Sequence, residues 1–256
     1  VVNDGATDAT LARLVEAFGL QPSRTVFRRV LATKPPRGIY RSALHPRLMV
    51  VDKANGGKAD ALNAGLNVSR YPLFCAVDSD SVLERDALLK VVRPFLEDPE
   101  RTIGAGGVIR LSNGCAVRDG QVARVGIPRN WIARFQVLEY LRAFLGGRLG
   151  MSRLRSTLIV SGAFGIFRKD IALACGGYRT DSVTEDMDLV VRMQKHMHDQ
   201  GKPYRIPFIP DPICWTEAPE SLRVLARQRR RWHRGLVDTL VRHRGMVLRP
   251  RYGAAG

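Results

Sequence analysis

The 256-residue chain has no run of about eighteen or more apolar residues, so none of it reads as a membrane-spanning helix, and no secretory signal stands at its start. Cysteine is scarce. Cys75, Cys115, Cys175 and Cys214 are scattered, with no C-x-x-C pair and no histidine at metal-ligand spacing. That pattern gives zinc no support and points to reduced, mostly buried thiols in a cytosolic setting. His196 and His198 read as surface residues of a polar helix end. Three further signatures are missing. Lys58 in Asn55-Gly56-Gly57-Lys58 is followed by Ala59 and lacks the first glycine of a phosphate-binding loop, no G-x-G-x-x-G follows the first strand, and no G-x-S-x-G occurs. A P-loop enzyme, a dinucleotide oxidoreductase and a serine or cysteine hydrolase are set aside. Internal repeats and low-complexity linkers are also absent.

Acidic residues are in short supply, 24 Asp and Glu against 41 Lys and Arg, for a formal net charge of +17. Nucleic acid, an anionic membrane surface and a polyphosphate-bearing small substrate all suit such a surplus. The cations crowd one end: Arg223, Arg227, Arg229, Arg230, Arg231, Arg234, Arg242, Arg244, Arg249 and Arg251 face only Glu220 and Asp238. A partner there is expected to be anionic, a cytoplasmic membrane face being a natural candidate and a solvated helix face the plain alternative. Aromatic residues make up only 7% and are not interleaved with the basic patch, which disfavours nucleic acid.

With 45% hydrophobic residues, the chain suffices for one α/β domain with a substantial core. Residues 1–3 read as a strand running into Asp4-Gly5, and Leu11, Leu14, Val15 and Phe18 then recur at helical spacing. The proline-broken stretch 22–46 precedes an apolar run at 48–51 that suits a buried parallel strand. Asn55-Gly56-Gly57-Lys58 opens a helix, and residues 73–77 form a buried strand that delivers Asp78-Ser79-Asp80 at its carboxyl end, where ligands of open α/β sheets gather. A helix over 84–95 and a glycine-rich strand over 103–111 follow. Trp131, Phe135, Leu138, Leu141 and Leu145 form a stripe expected to face the core more readily than a membrane. Residues 158–167 return to strand-like sequence, Thr184 caps a helix, and 219–247 is an arginine-rich helical region.

Two carboxylates at a strand end, Asp78 and Asp80, offer hard oxygens that suit Mg²⁺ or Mn²⁺ and a phosphate, although an acidic solvated loop would look the same. Glu185 and Asp186 at a helix start are either ordinary dipole-stabilised residues or a base positioned to take a proton from an attacking hydroxyl.

These motifs, in this order, together with Gln228-Arg229-Arg230-Arg231-Trp232, resemble the catalytic domain of glycosyltransferase family 2 enzymes. The similarity is to the processive kind that includes cellulose, hyaluronan, chitin and poly-N-acetylglucosamine synthases. It runs over nearly the whole chain, most specifically at residues 1–8, 53–65, 71–80, 161–186 and 228–232. The resemblance implies a GT-A (Rossmann-like) fold: a mostly parallel sheet flanked by helices, with C-terminal amphipathic interfacial helices.

By the same resemblance, Asp4 contacts the uracil of a UDP-sugar, Lys58 and Asp78 serve the nucleotide, and Asp80 ligates Mg²⁺ or Mn²⁺ beneath the diphosphate. Asp186 is the general base of an inverting transfer. Gln228 and Arg231 hold the diphosphate, while Trp232, whose alternative is simple helix packing, is an aromatic platform for the acceptor. Gly162 and Glu185 line the acceptor side.

Two departures stand out. The aromatic pair often found before Ser161-Gly162-Ala163 is here Ile159-Val160, and the family's first strand and flanking membrane helices do not precede or follow these motifs. The chain is therefore expected to be a segment of a longer protein at the cytoplasmic face of the inner (plasma) membrane. Residues 1–218 would be the catalytic domain lacking its first strand, and 219–256 a basic helical segment leading toward the membrane. The expected partners are a UDP-sugar, a glycan or lipid-linked acceptor, and the membrane through helices outside this chain, without nucleic acid. The alternatives are a transferase adding a single sugar to a lipid or protein, a basic nucleic-acid-binding module and a non-catalytic sugar-nucleotide sensor.

Overall fold

A computed structural model of the chain describes residues 1–153, 157–247, 249 and 252. Arg251 lies outside the described residues. The chain opens with β1 (Val2–Asp4), α1 (Thr10–Phe18), β2 (Leu20–Pro22), β3 (Pro36–Ser42) and β4 (Met49–Lys53), whose strands are ordered β1-β4-β3-β2. Next come α2 (Lys58–Val68), β5 (Leu73–Val77), β6 (Val82–Leu83), α3 (Ala87–Glu97), β7 (Gly104–Leu111) and a hairpin of β8 (Ala116–Arg118) and β9 (Gln121–Arg124). The helix α4 (Trp131–Leu141) continues through a π-helical segment, Arg142–Arg148, into α5 (Leu149–Arg153). The remainder is β10 (Phe164–Arg168), α6 (Lys169–Ala174), α7 (Glu185–Asp199), β11 (Phe208–Thr216) and α8 (Leu222–Arg242).

The α/β class expected from the sequence holds. Within it the sheets are mixed rather than mostly parallel. The pairs β1/β4 and β7/β11 are parallel, and the other ladders are antiparallel. One cause is local: the short 43–48 connection is too brief for a crossover and folds β3 back on β4 as a hairpin. In the second sheet, ordered β5-β10-β7-β11-β6, β10 inserts antiparallel between β5 and β7. β11 went unread in the sequence because Pro210 and Pro212 interrupt it, and its register against β7 shifts at those points. Of the expected strand over 158–167, only the part from Phe164 onward pairs.

Helices cover both faces of the five-stranded sheet. Phe167 joins Ile103, Leu189, Val190 and Met193 in a core beneath α2, α6 and α7, while Phe164 and Ile166 join Val91, Phe95, Ile109 and Phe144 beneath α3 and the π segment. The alternation along β10 is what a strand buried on both faces requires.

Two expectations are corrected. The apolar stripe of α4 faces outward: Trp131, Phe135 and Leu138 are 57%, 64% and 65% exposed, whereas Ile132, Ala133 and Gln136 turn inward. Gln136 donates to the Pro219 carbonyl, so the inward side of α4 carries a hydrogen-bonded polar group between small and branched apolar ones. His198, expected at the surface, is half-buried against Tyr204 and Tyr252. The four cysteines are free, and burial pushes Cys75 up to about 12 and Cys175 and Cys214 to about 11, leaving those three poor nucleophiles.

Thr184 stands at the start of α7 but makes no side-chain cap hydrogen bond. It is buried instead against α8, with its hydroxyl 3.5 Å from that of Thr239. A Cβ built at Gly235 would stand 2.3 Å from Thr184 Cγ2, so only glycine lets the two helices meet this closely. Further along, Asp188 is fully buried and pairs with Arg192 at 2.7 Å and His243 at 3.1 Å, while Arg242 binds Asp181 at 2.9 Å. Together these contacts register α8 against the first turns of α7.

Gly235→Ala is therefore expected to lower stability by about 1–3 kcal/mol through overpacking, even though alanine raises helix propensity by roughly 1 kcal/mol. A fall in the thermal midpoint of about 2–4 °C per kcal/mol checks this; an unchanged or higher midpoint would contradict the close approach.

Candidate active site

The site begins with a charge that cannot reach water. Lys53 ends β4 opposite Asp4 of β1, and its side chain is 0% exposed. Its ammonium lies 2.5 Å from Asp4 Oδ1, 2.5 Å from Asp60 Oδ1 and 2.8 Å from the Ala54 carbonyl. Asp4 also accepts from the backbone amides of Gly56 at 3.0 Å and Gly57 at 2.8 Å. Burial pushes the Asp4 carboxyl up, but Lys53 and the two amides more than offset it, so its pKa lies below the usual carboxylate range. The structure thus places Asp4, expected on uracil, at the root of the 55–57 turn, where its carboxylate organises the start of α2.

That turn aims Lys58 at the carboxylates of Asp78 and Glu185. Its ammonium is 2.5 Å from Asp78 Oδ1 and 3.4 Å from Glu185 Oε1. Gly162 closes the same space: a Cβ there would lie 2.8 Å from Asp186 Oδ2 and 3.5 Å from Lys58 Nζ. Any larger residue would press on the Asp186 carboxylate. Five expected residues, Lys58, Asp78, Gly162, Glu185 and Asp186, therefore converge from four separate segments. Burial pulls the Lys58 ammonium down, but the carboxylates of Asp78, Glu185 and Asp186 lift its pKa above the ordinary value. Burial, then the neighbouring Glu185, pushes Asp186 up despite Lys58 and backbone amides. A carboxyl raised in this way is a better proton acceptor than an exposed aspartate.

Asp78 and Asp80 sit on a turn rather than alternating along the strand, because β5 ends at Val77 and Ser81 N donates to the Asp78 carbonyl at 3.1 Å. Asp80 is exposed and forms no ion pair among the described residues. Among the described residues no group of three or more His, Cys, Asp or Glu side chains is arranged to hold a metal ion. The donor set fits a different mode, one or two carboxylates plus substrate phosphate oxygens, in which Mg²⁺ is commonly held.

Gln228, Arg231 and Trp232 lie on α8, whose docking at Gly235 sets Trp232 about one helical turn from the contact with Thr184. Gln228 and Trp232 are half-buried and Arg231 is exposed. None of the three hydrogen-bonds to the carboxylate cluster among the described residues. Sequence reasoning assigned no role to Lys53, Asp60 or Arg148. A lysine closing the buried strand Met49-Val50-Val51-Asp52-Lys53 is the available signal for the first, since a charge in a buried strand must be paired. Arg148 sits over the Phe144 ring at 4.0 Å, and burial pulls it down to about 10 against the attraction of Asp186. No local pattern announces it.

Comparison with known proteins agrees with this geometry. The family described as "Glycosyltransferase like family 2" matches residues 41–235. A poly-β-1,6-N-acetyl-D-glucosamine synthase of Staphylococcus aureus (strain COL) is 30% identical over 208 residues, covering 80% of this chain and 45% of the relative. The synthase of the same name from Staphylococcus epidermidis is 28% identical over 191 residues, covering 74% of this chain and 41% of its own. The chain thus spans less than half the length of these relatives. Among solved structures, the mannosyltransferase PcManGT from Pyrobaculum calidifontis, in complex with GDP-Man and Mn²⁺, shares the fold. Its TM-score is 0.63 at 20% identity, over 100% of this chain and 57% of that one.

Lys53→Met would leave Asp4 and Asp60 without their buried counter-charge and is expected to cost roughly 3 kcal/mol. Urea denaturation reads this directly. A loss under about 1 kcal/mol, the range of exposed pairs, would show that the carboxylates are still solvated.

Proposed function

The chain belongs to the glycosyltransferase like family 2, and from that premise we propose that it is the catalytic part of an inverting, metal-dependent transferase. It would move a sugar from a UDP-sugar to a glycan or lipid-linked acceptor at the cytoplasmic face of a membrane. The observation that carries this reading is the convergence of Asp78, Glu185 and Asp186 on Lys58 beside Gly162. A lysine and a raised-pKa aspartate beside one another are what nucleotide binding and proton abstraction need.

In this reading Asp186 takes the proton of the acceptor hydroxyl as its oxygen bonds to the anomeric carbon. The bond from that carbon to the diphosphate oxygen breaks on the opposite face, which inverts the configuration and releases the nucleoside diphosphate. Lys58 and Asp78 orient the nucleotide, and Asp4 supports it through the 55–57 turn. Asp80, with the second oxygen of Asp78, would hold Mg²⁺ or Mn²⁺, which when bound neutralises charge on the diphosphate. Gln228 and Arg231 approach the diphosphate from α8, while Trp232, Gly162 and Glu185 line the acceptor side. Residues 1–218 would form the catalytic domain and 219–256 the basic segment.

The names of the staphylococcal relatives support polymer building from an N-acetylglucosamine donor. Addition of a single sugar to a lipid or protein is the second reading, favoured by Ile159-Val160 in place of an aromatic pair. Membrane apposition is supported by the outward Trp131, Phe135 and Leu138 together with Arg223, Arg227 and Arg230. These arginines are exposed and unpaired among the described residues.

The reading is tested by nucleotide release from a panel of UDP-sugars and GDP-mannose with Mg²⁺ or Mn²⁺, using the full-length polypeptide in membranes. One donor is expected to turn over, and Asp186→Asn to lower kcat by about 10²–10⁴-fold. Turnover with no donor would overturn it. Because Asp186 works only when ionised, activity is lost as pH falls through its folded pKa. The acid limb of kcat/KM is thus expected above the ordinary aspartate value of about 3.9.

A further inference from the structure

The helix α4 reaches into the α8 motif through one ion pair. Glu139 Oε2 lies 2.6 Å from Arg229 Nη2, and the Arg229 guanidinium carbon stands 4.6 Å from the centre of the Trp232 indole. Arg229 is only 25% exposed at its side chain, so it is held under the pair rather than spread in solvent. A planar guanidinium tied by a carboxylate and laid on an indole restricts the freedom of both groups and covers one ring face. The neighbouring Tyr140 is half-buried and stacks on Phe144, and Trp232 itself lies about one helical turn from the Gly235 contact with Thr184, the residue that precedes Glu185 and Asp186.

Arg229 occupies one of the variable positions between Gln228 and Arg231, and nothing in the motif assigns it a role. Glu139 lies on the helix that presents Trp131, Phe135 and Leu138 outward. We propose that Glu139 and Arg229 are positioning residues that fix the indole of Trp232 as the acceptor platform, so that acceptor recognition depends on the seating of α4. This inference rests on the transferase reading. It assigns neither residue any contact with the donor or the reacting atoms: Arg229 acts through Trp232, and Glu139 acts through Arg229.

The test uses the full-length polypeptide in membranes, the donor that the wild type turns over and a short oligosaccharide of the same sugar as acceptor. KM for acceptor and for donor is measured separately, alongside nucleotide release without added acceptor. Arg229→Ala is expected to raise the acceptor KM about tenfold, with donor KM and acceptor-free release unchanged. Glu139→Gln should raise it about threefold and Arg229→Lys to an intermediate extent, since lysine keeps the charge but not the planar stack. The double variant Glu139→Gln/Arg229→Ala should be no worse than Arg229→Ala alone, because Glu139 has nothing left to hold. An unchanged acceptor KM, additive effects in the double variant, or equal shifts in donor and acceptor KM would overturn the proposal. If Arg229→Ala does not fold, the Lys and Gln variants decide it. A wild type that turns over no donor counts against the transferase reading, whereas normal turnover with an unmoved acceptor KM counts against this inference alone.

Discussion

An ammonium group placed among three carboxylates is the contact on which the cleft depends. Without Lys58, the negative charges of Asp78, Glu185 and Asp186 would repel one another across a half-buried space, and the strand turn and the helix start carrying them would have no reason to meet. Lys58 is in turn aimed by the turn before it, and that turn is held by Asp4. The carboxylate of Asp4 can serve two backbone amides only because the buried Lys53 balances it. The order of dependence runs from a charge pair in the core to a backbone turn to a side chain in the site.

The second constraint is steric. Gly235 lets α8 approach Thr184 at the root of the helix that carries Glu185 and Asp186, and Gly162 leaves room for Asp186 beside Lys58. Two absent side chains therefore decide how near the basic helix comes to the acidic cluster. Asp188 reinforces the arrangement: burial pushes its carboxyl up, but His243 and Arg192 more than offset this and hold it ionised between α7 and α8. Arg242 and Asp181 clamp the far end of α8, while Arg223, Arg227 and Arg230 on its solvent side form no ion pair among the described residues.

Much of this was legible in the residues. Asp4 and Asp78 do fall at strand ends, α2 does open at Lys58, and α7 starts at Glu185, because periodicity and turn residues act locally. What was not legible depended on partners distant in the chain. Thr184 looks like a helix cap in isolation, yet its side chain is taken by Gly235 and Thr239. The α4 stripe looks like core because a hydrophobic face ordinarily turns inward, yet the inward side is taken by Ile132, Ala133 and Gln136, the last bonded to the Pro219 carbonyl far along the chain. β11 hides behind two prolines, and Arg148 behind a glycine-rich helix with no pattern of its own. The identity of the buried polar groups could be anticipated in one case only, the lysine closing an apolar strand.

The most direct test of the central claim is to follow the Asp186 carboxyl by NMR in the folded chain across acid pH, comparing wild type with Lys58→Met. If the Lys58 ammonium holds the cluster together, its removal takes away a charge that favours ionised Asp186, and the titration moves to higher pH. Identical titrations in the two proteins would show that Lys58 does not share a site with Asp186, and the convergence described above would be wrong.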